Sequence, residues 1–410
     1  MTAWSRIRFA NARRDVSAAS GVSLIELIGA MAVTMVLVGA VTGLVSAMRG
    51  IVASQPEVAD LQQRLRAALQ QIAGELANAG AGLDGTPLAG PLATTIPAIV
   101  PYRRGAVDDD GRAGRWFRRD AVSVVYVAST AAQAEVAGAV DLGGRLLLAV
   151  RPNCGPVAQT ALCGFRAGMR AIVLEPRGAY DLVTVEVVGA STVEVSYRGT
   201  PASSYTSGRA VLAHAAVHTF ELSVDTATGV PLLSHYDGFV TERPSVDHVV
   251  AMTFDYLGDP EPPRLRPSVD LNASRGPWTT YGPAPPPVDV DDADTAWPAG
   301  ENCVFEVRNG VHQPRLPSLG AMGDLVPLAA GQLSDGPWCP DATGARRFDA
   351  DLLRIRQVRV RVRVEAAPDA LRGGAGPLFV RAGSAARGTN LVPDQEAVLD
   401  IVPRNYATGR

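Results

Sequence analysis

The sequence predicts an α+β protein, a long N-terminal helix followed by a large β-rich head. Three observations carry that expectation. Gly21 to Met48 is an uninterrupted apolar run whose only charge is Glu26. Leu61, Leu65, Leu69, Ile72 and Leu76 then recur at helical spacing. From Thr95 onward the chain breaks into short β-branched runs separated by Gly and Pro turns.

The helix divides into two halves. Residues 22–48 form a membrane half of 27 residues, about 40 Å at 1.5 Å per residue and long enough to cross a bilayer with tilt. Residues 49–80 form an amphipathic half, with Gln62, Gln63, Arg64, Arg66, Gln70, Gln71 and Glu75 on the faces that the leucines leave open. Pro56 is expected to kink the helix, and Gly80 and Gly82 to stop it. A single helix from Val22 to Ala79 would be roughly 87 Å long.

The head, residues 81–410, offers ten candidate strands: Ala121–Ala128, Arg145–Arg151, Arg170–Glu175, Asp181–Val188, Thr192–Arg198, Val217–Val224, His248–Leu257, Cys303–Val307, Val358–Val364 and Ala397–Val402. They predict a mainly antiparallel sheet packed on the helix, with a second β-rich portion. Residues 259–300 hold ten prolines and read as a surface insertion.

Composition narrows the function. The 38 basic residues are all arginine, which excludes a phosphate-binding GxxxxGK loop and any catalytic lysine. Formal charge is −3, and near −6 without residues 1–21, so bulk charge argues against nucleic acid as a partner. Of the four cysteines, Cys154, Cys163, Cys303 and Cys339, none forms a CxxC pair, which disfavours zinc. An exported chain with an even cysteine count suggests disulfides. Closeness in sequence favours Cys154 with Cys163 and Cys303 with Cys339, among the three pairings four cysteines allow.

Other constellations are weaker. Asp108, Asp109 and Asp110, and separately Asp289, Asp291, Asp292 and Asp294, are acidic loops that would suit calcium, but neither has EF-hand spacing. No cofactor is otherwise expected. His214 and His218 lack an accompanying HExxH glutamate, and strand geometry would hold them apart. Arg359, Arg361 and Arg363 alternate with valines, giving one basic face, for which a solvated surface or pairing with acids outweighs nucleic-acid binding. Leu353 and Ile355 are out of phase with those valines, placing a bulge or a change of structure near Gln357. No GxSxG elbow or supported acid–base pair appears, so the chain does not read as an enzyme.

The left flank of the apolar run carries Arg6, Arg8, Arg13 and Arg14 against Asp15, and Ser20-Gly21-Val22 precedes the run rather than following it. A basic leader, a glycine, then an apolar helix with glutamate five residues on resembles the N-terminus of type IV prepilins. The later segments VPLLSHYDG, VVAMTFDYLGD and DLLRIRQVRVRVRVEA, with a terminal VPRN, resemble PilW-type minor pilins, more loosely. The resemblance implies a pilin-like fold, cleavage of residues 1–21 after Gly21 by a prepilin peptidase, and methylation of Val22. Phenylalanine is commoner than valine at that new terminus. Glu26 would attract the N-terminal amine of a neighbouring subunit during assembly. Implied partners are the peptidase, other pilins packed helix to helix, and an inner-membrane assembly platform. Implied locations are a single-pass inner-membrane state with a periplasmic head and then a surface pilus. A J-type pseudopilin of type II secretion or a DNA-uptake competence pseudopilin shares the same N-terminal features.

Overall fold

The computed structural model describes residues 23–82, 97–101, 118–130, 132–139, 144–149, 162, 164–174, 180–197, 201, 205, 210–237, 242–262, 301, 303–321, 323–340, 347–372 and 392–404. Helix α1 spans Leu24–Asn78, and the side chains of residues 46–53 lie outside this description. The chain divides into two compact units at Pro56, inside that helix.

In the first unit, every described side chain from Ser23 to Val45 is exposed. Leu24–Val45 is long and apolar enough to cross a membrane.

The second unit begins with the amphipathic part of α1. Leu61, Leu65, Ala68, Ile72 and Leu76 are buried, whereas Gln62, Gln63 and Gln70 face solvent. The helix ends two residues before Gly80, which adopts φ 74°, a left-handed conformation that glycine reaches without a Cβ clash. The Gly80 N–H then donates to Val125 O at 3.0 Å, and Val127 N–H donates to Ala81 O at 2.8 Å. The exit from the helix is thereby tied to a strand.

Among the described residues, ten strands follow in one sheet. They are β1 (Ile99–Val100), β2 (Ala121–Val127), β3 (Gln133–Ala139), β4 (Arg145–Leu148), β5 (Arg170–Leu174), β6 (Tyr180–Val188), β7 (Thr192–Ser196), β8 (Val211–Val224), β9 (Pro231–Tyr236) and β10 (Glu242–Asp247). β8 is the hub. Its first residues pair with β3 on one side and β5 on the other, and β4, β7 and β6 complete an antiparallel ring. Closing the ring removes free edges from these six strands. Val136, Leu146, Val173, Val183, Val193 and Leu212 belong to the apolar cluster of this barrel. The second half of β8 leaves the ring and pairs with β2 and β9. Pro244 sits in β10, whose only strand partner among the described residues is β9, an edge position where a missing N–H is tolerated.

The second sheet has the order β14-β11-β17-β18, from β11 (Val249–Gly258), β14 (Val326–Leu328), β17 (Ile355–Val364) and β18 (Gln395–Ile401). Two hairpins accompany it, β12 (Phe305–Arg308) with β13 (Val311–Pro314), and β15 (Trp338–Pro340) with β16 (Arg347–Asp349). Alternation along β11 and β17 aims Met252, Phe254, Tyr256, Val358, Val360 and Val362 into the core that also holds the buried face of α1. A 3₁₀ turn, Ala350–Arg354, enters β17, and the register slips opposite Leu257 and Gly258. This is the phase change expected near Gln357. Gly258 must be glycine there, because a Cβ would lie 2.8 Å from Arg354 O.

The structure extends the sequence expectation in several places. β1, β3, β9, β10 and β13–β16 were not among the candidate strands, and β8 starts at Val211 rather than Val217. Nearly all of the proline-rich insertion, residues 263–300, lies outside the described residues.

Candidate functional site

Ser23 precedes the first turn of α1, and its N–H donates to Glu26 Oε2 at 3.1 Å, while Leu27 N–H donates to Ser23 O at 3.1 Å. The carboxylate thus satisfies one of the donors that a helix start leaves open, and it sits where the helix dipole favours an anion. From Leu27 to Met48 no charged residue follows. Two threonine hydroxyls within this apolar segment are turned back on the helix: Thr34 Oγ1 donates to Ala30 O at 2.7 Å, and Thr42 Oγ1 donates to Val38 O. Backbone and hydroxyl donors satisfied inside the helix are what a lipid environment requires. Gly21 and Val22 lie outside the described residues.

Cys303 and Cys339 form a disulfide, Cα to Cα 5.1 Å, with both residues buried. Cys154 and Cys163 lie outside the described residues, as do Asp108, Asp109, Asp110, Asp289, Asp291, Asp292 and Asp294.

The arginines of β17 are matched by acids on and just before β18. Arg359 makes a two-bond contact with Asp400, 2.7 and 3.1 Å. Arg361 lies 3.5 Å from Glu396, and the buried Arg363 lies 4.0 Å from Asp394. Burial, with Glu365 nearby, pushes the Asp394 carboxyl up to about 7 despite Arg363 and Arg372. The alternation visible in the sequence is therefore half of a cross-strand charge ladder.

An acidic group that the sequence did not single out lies by the disulfide-bearing hairpin. Asp349 accepts from Gly336 N–H at 2.7 Å and Asp351 N–H at 2.8 Å, and burial raises its carboxyl to about 7. Asp351 pairs with Arg354 at 2.6 Å, and Asp335 completes the group. Both buried members have structural work, a double cap and an ion pair.

His214 and His218 point along the same strand without meeting, as strand spacing implies. His214 is within 3.4 Å of Thr130 Oγ1, whereas His218 Nδ1 lies 2.9 Å from His235 Nε2 on β9. The sequence reading missed His235, because only the β8–β9 register brings it beside His218.

No family model, no curated protein and no solved structure matches the chain.

Proposed function

We propose that this chain is a minor pilin of a type IV pilus system, a structural and interaction protein rather than an enzyme. A prepilin peptidase removes residues 1–21 after Gly21 and methylates Val22. The apolar helix then holds the subunit in the inner membrane, with the head periplasmic, until the assembly platform adds it to a filament. Glu26 meets the N-terminal amine of a neighbouring subunit during that step.

The observation that carries this reading is an exposed, apolar helical stretch, Leu24–Val45, with one carboxylate in its opening turn. A lone intramembrane carboxylate is costly without a cationic partner, so it marks function. Leader, glycine and carboxylate spacing supply the direction of processing. The ladder of Arg359 and Arg361 with Asp400 and Glu396 weakens the competence reading, since those guanidinium groups already have anionic partners.

Co-expression with a prepilin peptidase tests the processing step. Wild type should lose its leader, and Gly21→Val should keep it. Equal processing of both chains, or of neither, would count against the proposal.

A further inference from the structure

Six side chains form a continuous hydrogen-bonded chain between the amphipathic part of α1 and the β8–β9 hairpin. Ser245 Oγ on β10 donates to Gln71 Oε1. The Gln71 amide nitrogen lies 3.1 Å from His235 Nδ1, and His235 Nε2 lies 2.9 Å from His218 Nδ1. His218 Nε2 is 3.3 Å from Tyr126 Oη and 3.5 Å from Glu75, and Tyr126 donates to Glu75 Oε2 at 2.7 Å. His218 stacks between Tyr126 and His235, and His235 lies on the ring of the fully buried Phe220.

Donor and acceptor roles leave one arrangement for this amide orientation. Gln71 donates to His235 Nδ1, so His235 carries its proton on Nε2 and donates to His218 Nδ1. His218 then carries its proton on Nε2 and directs it toward Tyr126 and Glu75. Every hydrogen bond runs one way, ending on the carboxylate. Both imidazoles are neutral in this state. A proton added to His218 Nδ1 would face the His235 N–H. Turning the Gln71 amide would accommodate one extra proton on His235 Nδ1, but the contact between the rings cannot accept a second.

We infer that the Ser245–Gln71–His235–His218–Tyr126–Glu75 chain is an acid-sensitive latch that holds residues 57–78 of α1 on the head and loosens when both imidazoles are protonated. The surrounding charges are mixed. Glu75 on the helix and Asp237 after β9 favour protonation, while Arg243 on β10 and the imidazoles themselves oppose it. Burial outweighs the carboxylates and holds both rings below the ordinary histidine value of 6.5. His214, farther along β8, is also held low by burial and by His218. A folded-state value below the unfolded one means that the stabilisation is intact at neutral pH and is lost as pH falls below 6.5. The device is independent of the pilin reading.

Hydrogen exchange on the full chain in detergent tests the latch, comparing residues 57–78 with β11 and β17 at about pH 7.5 and about pH 5. After correction for intrinsic exchange chemistry, protection of 57–78 should fall at least about tenfold more than that of the two strands. The His218→Gln/His235→Gln double variant should lose that difference. Equal loss in both regions, no loss, or a difference that persists in the double variant would overturn the latch. If the double variant does not fold, nitrogen spectra of the wild-type histidine rings decide. Nε2–H tautomers on His218 and His235, both titrating below the free histidine value, are expected. An Nδ1–H tautomer on His235, or titration above that value, overturns it.

Discussion

The Glu26 carboxylate accepts the backbone N–H of Ser23, three residues earlier, at 3.1 Å. One side chain therefore has two candidate roles, capping its own helix and receiving the amine of another subunit. Glu26→Gln separates them, because the amide oxygen can still accept from Ser23 while the charge is gone. If charge is what assembly needs, Glu26→Gln and Glu26→Val should both be cleaved and both be depleted from filaments about tenfold or more, the effect of roughly 1.4 kcal/mol. Filaments that retain Glu26→Gln but lose Glu26→Val would assign the residue to capping alone, an interaction of roughly 0.5–2 kcal/mol. Quantitative immunoblots of sheared filaments distinguish these outcomes.

Arg354 closes the base of the insertion. It is buried, and its guanidinium donates to Pro260 O at 3.0 Å and Pro317 O at 2.5 Å, on either side of residues 263–300. Leu319 N–H to Pro260 O, 2.8 Å, joins the same two flanks. Arg354→Ala leaves those carbonyls and the Asp351 carboxylate without their partner, and should destabilise the head by about 3–5 kcal/mol. Denaturant unfolding of the full chain in detergent measures this. A loss under about 1 kcal/mol would show that the flanks are held by other contacts.

The Cys303–Cys339 disulfide encloses a separation of 36 residues, so replacing both cysteines by serine should cost roughly 2–4 kcal/mol, largely by freeing the unfolded chain. Thermal unfolding of the double variant, compared with wild type under reducing and non-reducing conditions, checks the value. Reductant should lower the melting point of wild type toward that of the variant.

Stability should respond to pH in two opposing ways. The carboxyls of Asp349 and Asp394, near 7, and of Asp351, near 6, lie above the ordinary 3.8, so the folded state binds their protons more tightly than the unfolded state does. Their contribution is greatest at low pH and is lost as pH rises through the folded values, each with a slope of at most about 1.4 kcal/mol per pH unit. His218 and His235 act in the opposite sense below 6.5. Asp394→Asn should therefore flatten the decline in stability between about pH 4 and about pH 7. An unchanged slope in denaturant titrations would remove Asp394 from the account.

The helix was legible because Leu61, Leu65, Ile72 and Leu76 repeat at the period of the structure they form, and two glycines end it. β11 and β17 were legible for the same reason, with a period of two. The first half of β8 was not. Its VLAHAA run is rich in alanine, which signals strand weakly, and small side chains there suit the crowded junction of barrel and open sheet. Ring closure depends on β5 returning to β8, a pairing between residues about forty positions apart that no local pattern announces. The His218–His235 pair depends on register, set by a turn in which Asp225 accepts from Ala227 N–H and Thr228 Oγ1, both at 2.8 Å. The acids of β18 were readable as residues, but their partnership with Arg359 and Arg361 needed the β17–β18 register.

Mass spectrometry of the N-terminal peptide, from sheared surface filaments and from the membrane fraction, shows whether the leader is removed and where the processed chain goes. A minor pilin should give a peptide beginning at Val22 in the filaments, with a methylated amine. Processing confined to the membrane fraction, at equal detection sensitivity, would move the chain to a secretion pseudopilin. An intact leader in cells with an active prepilin peptidase would contradict the pilin account.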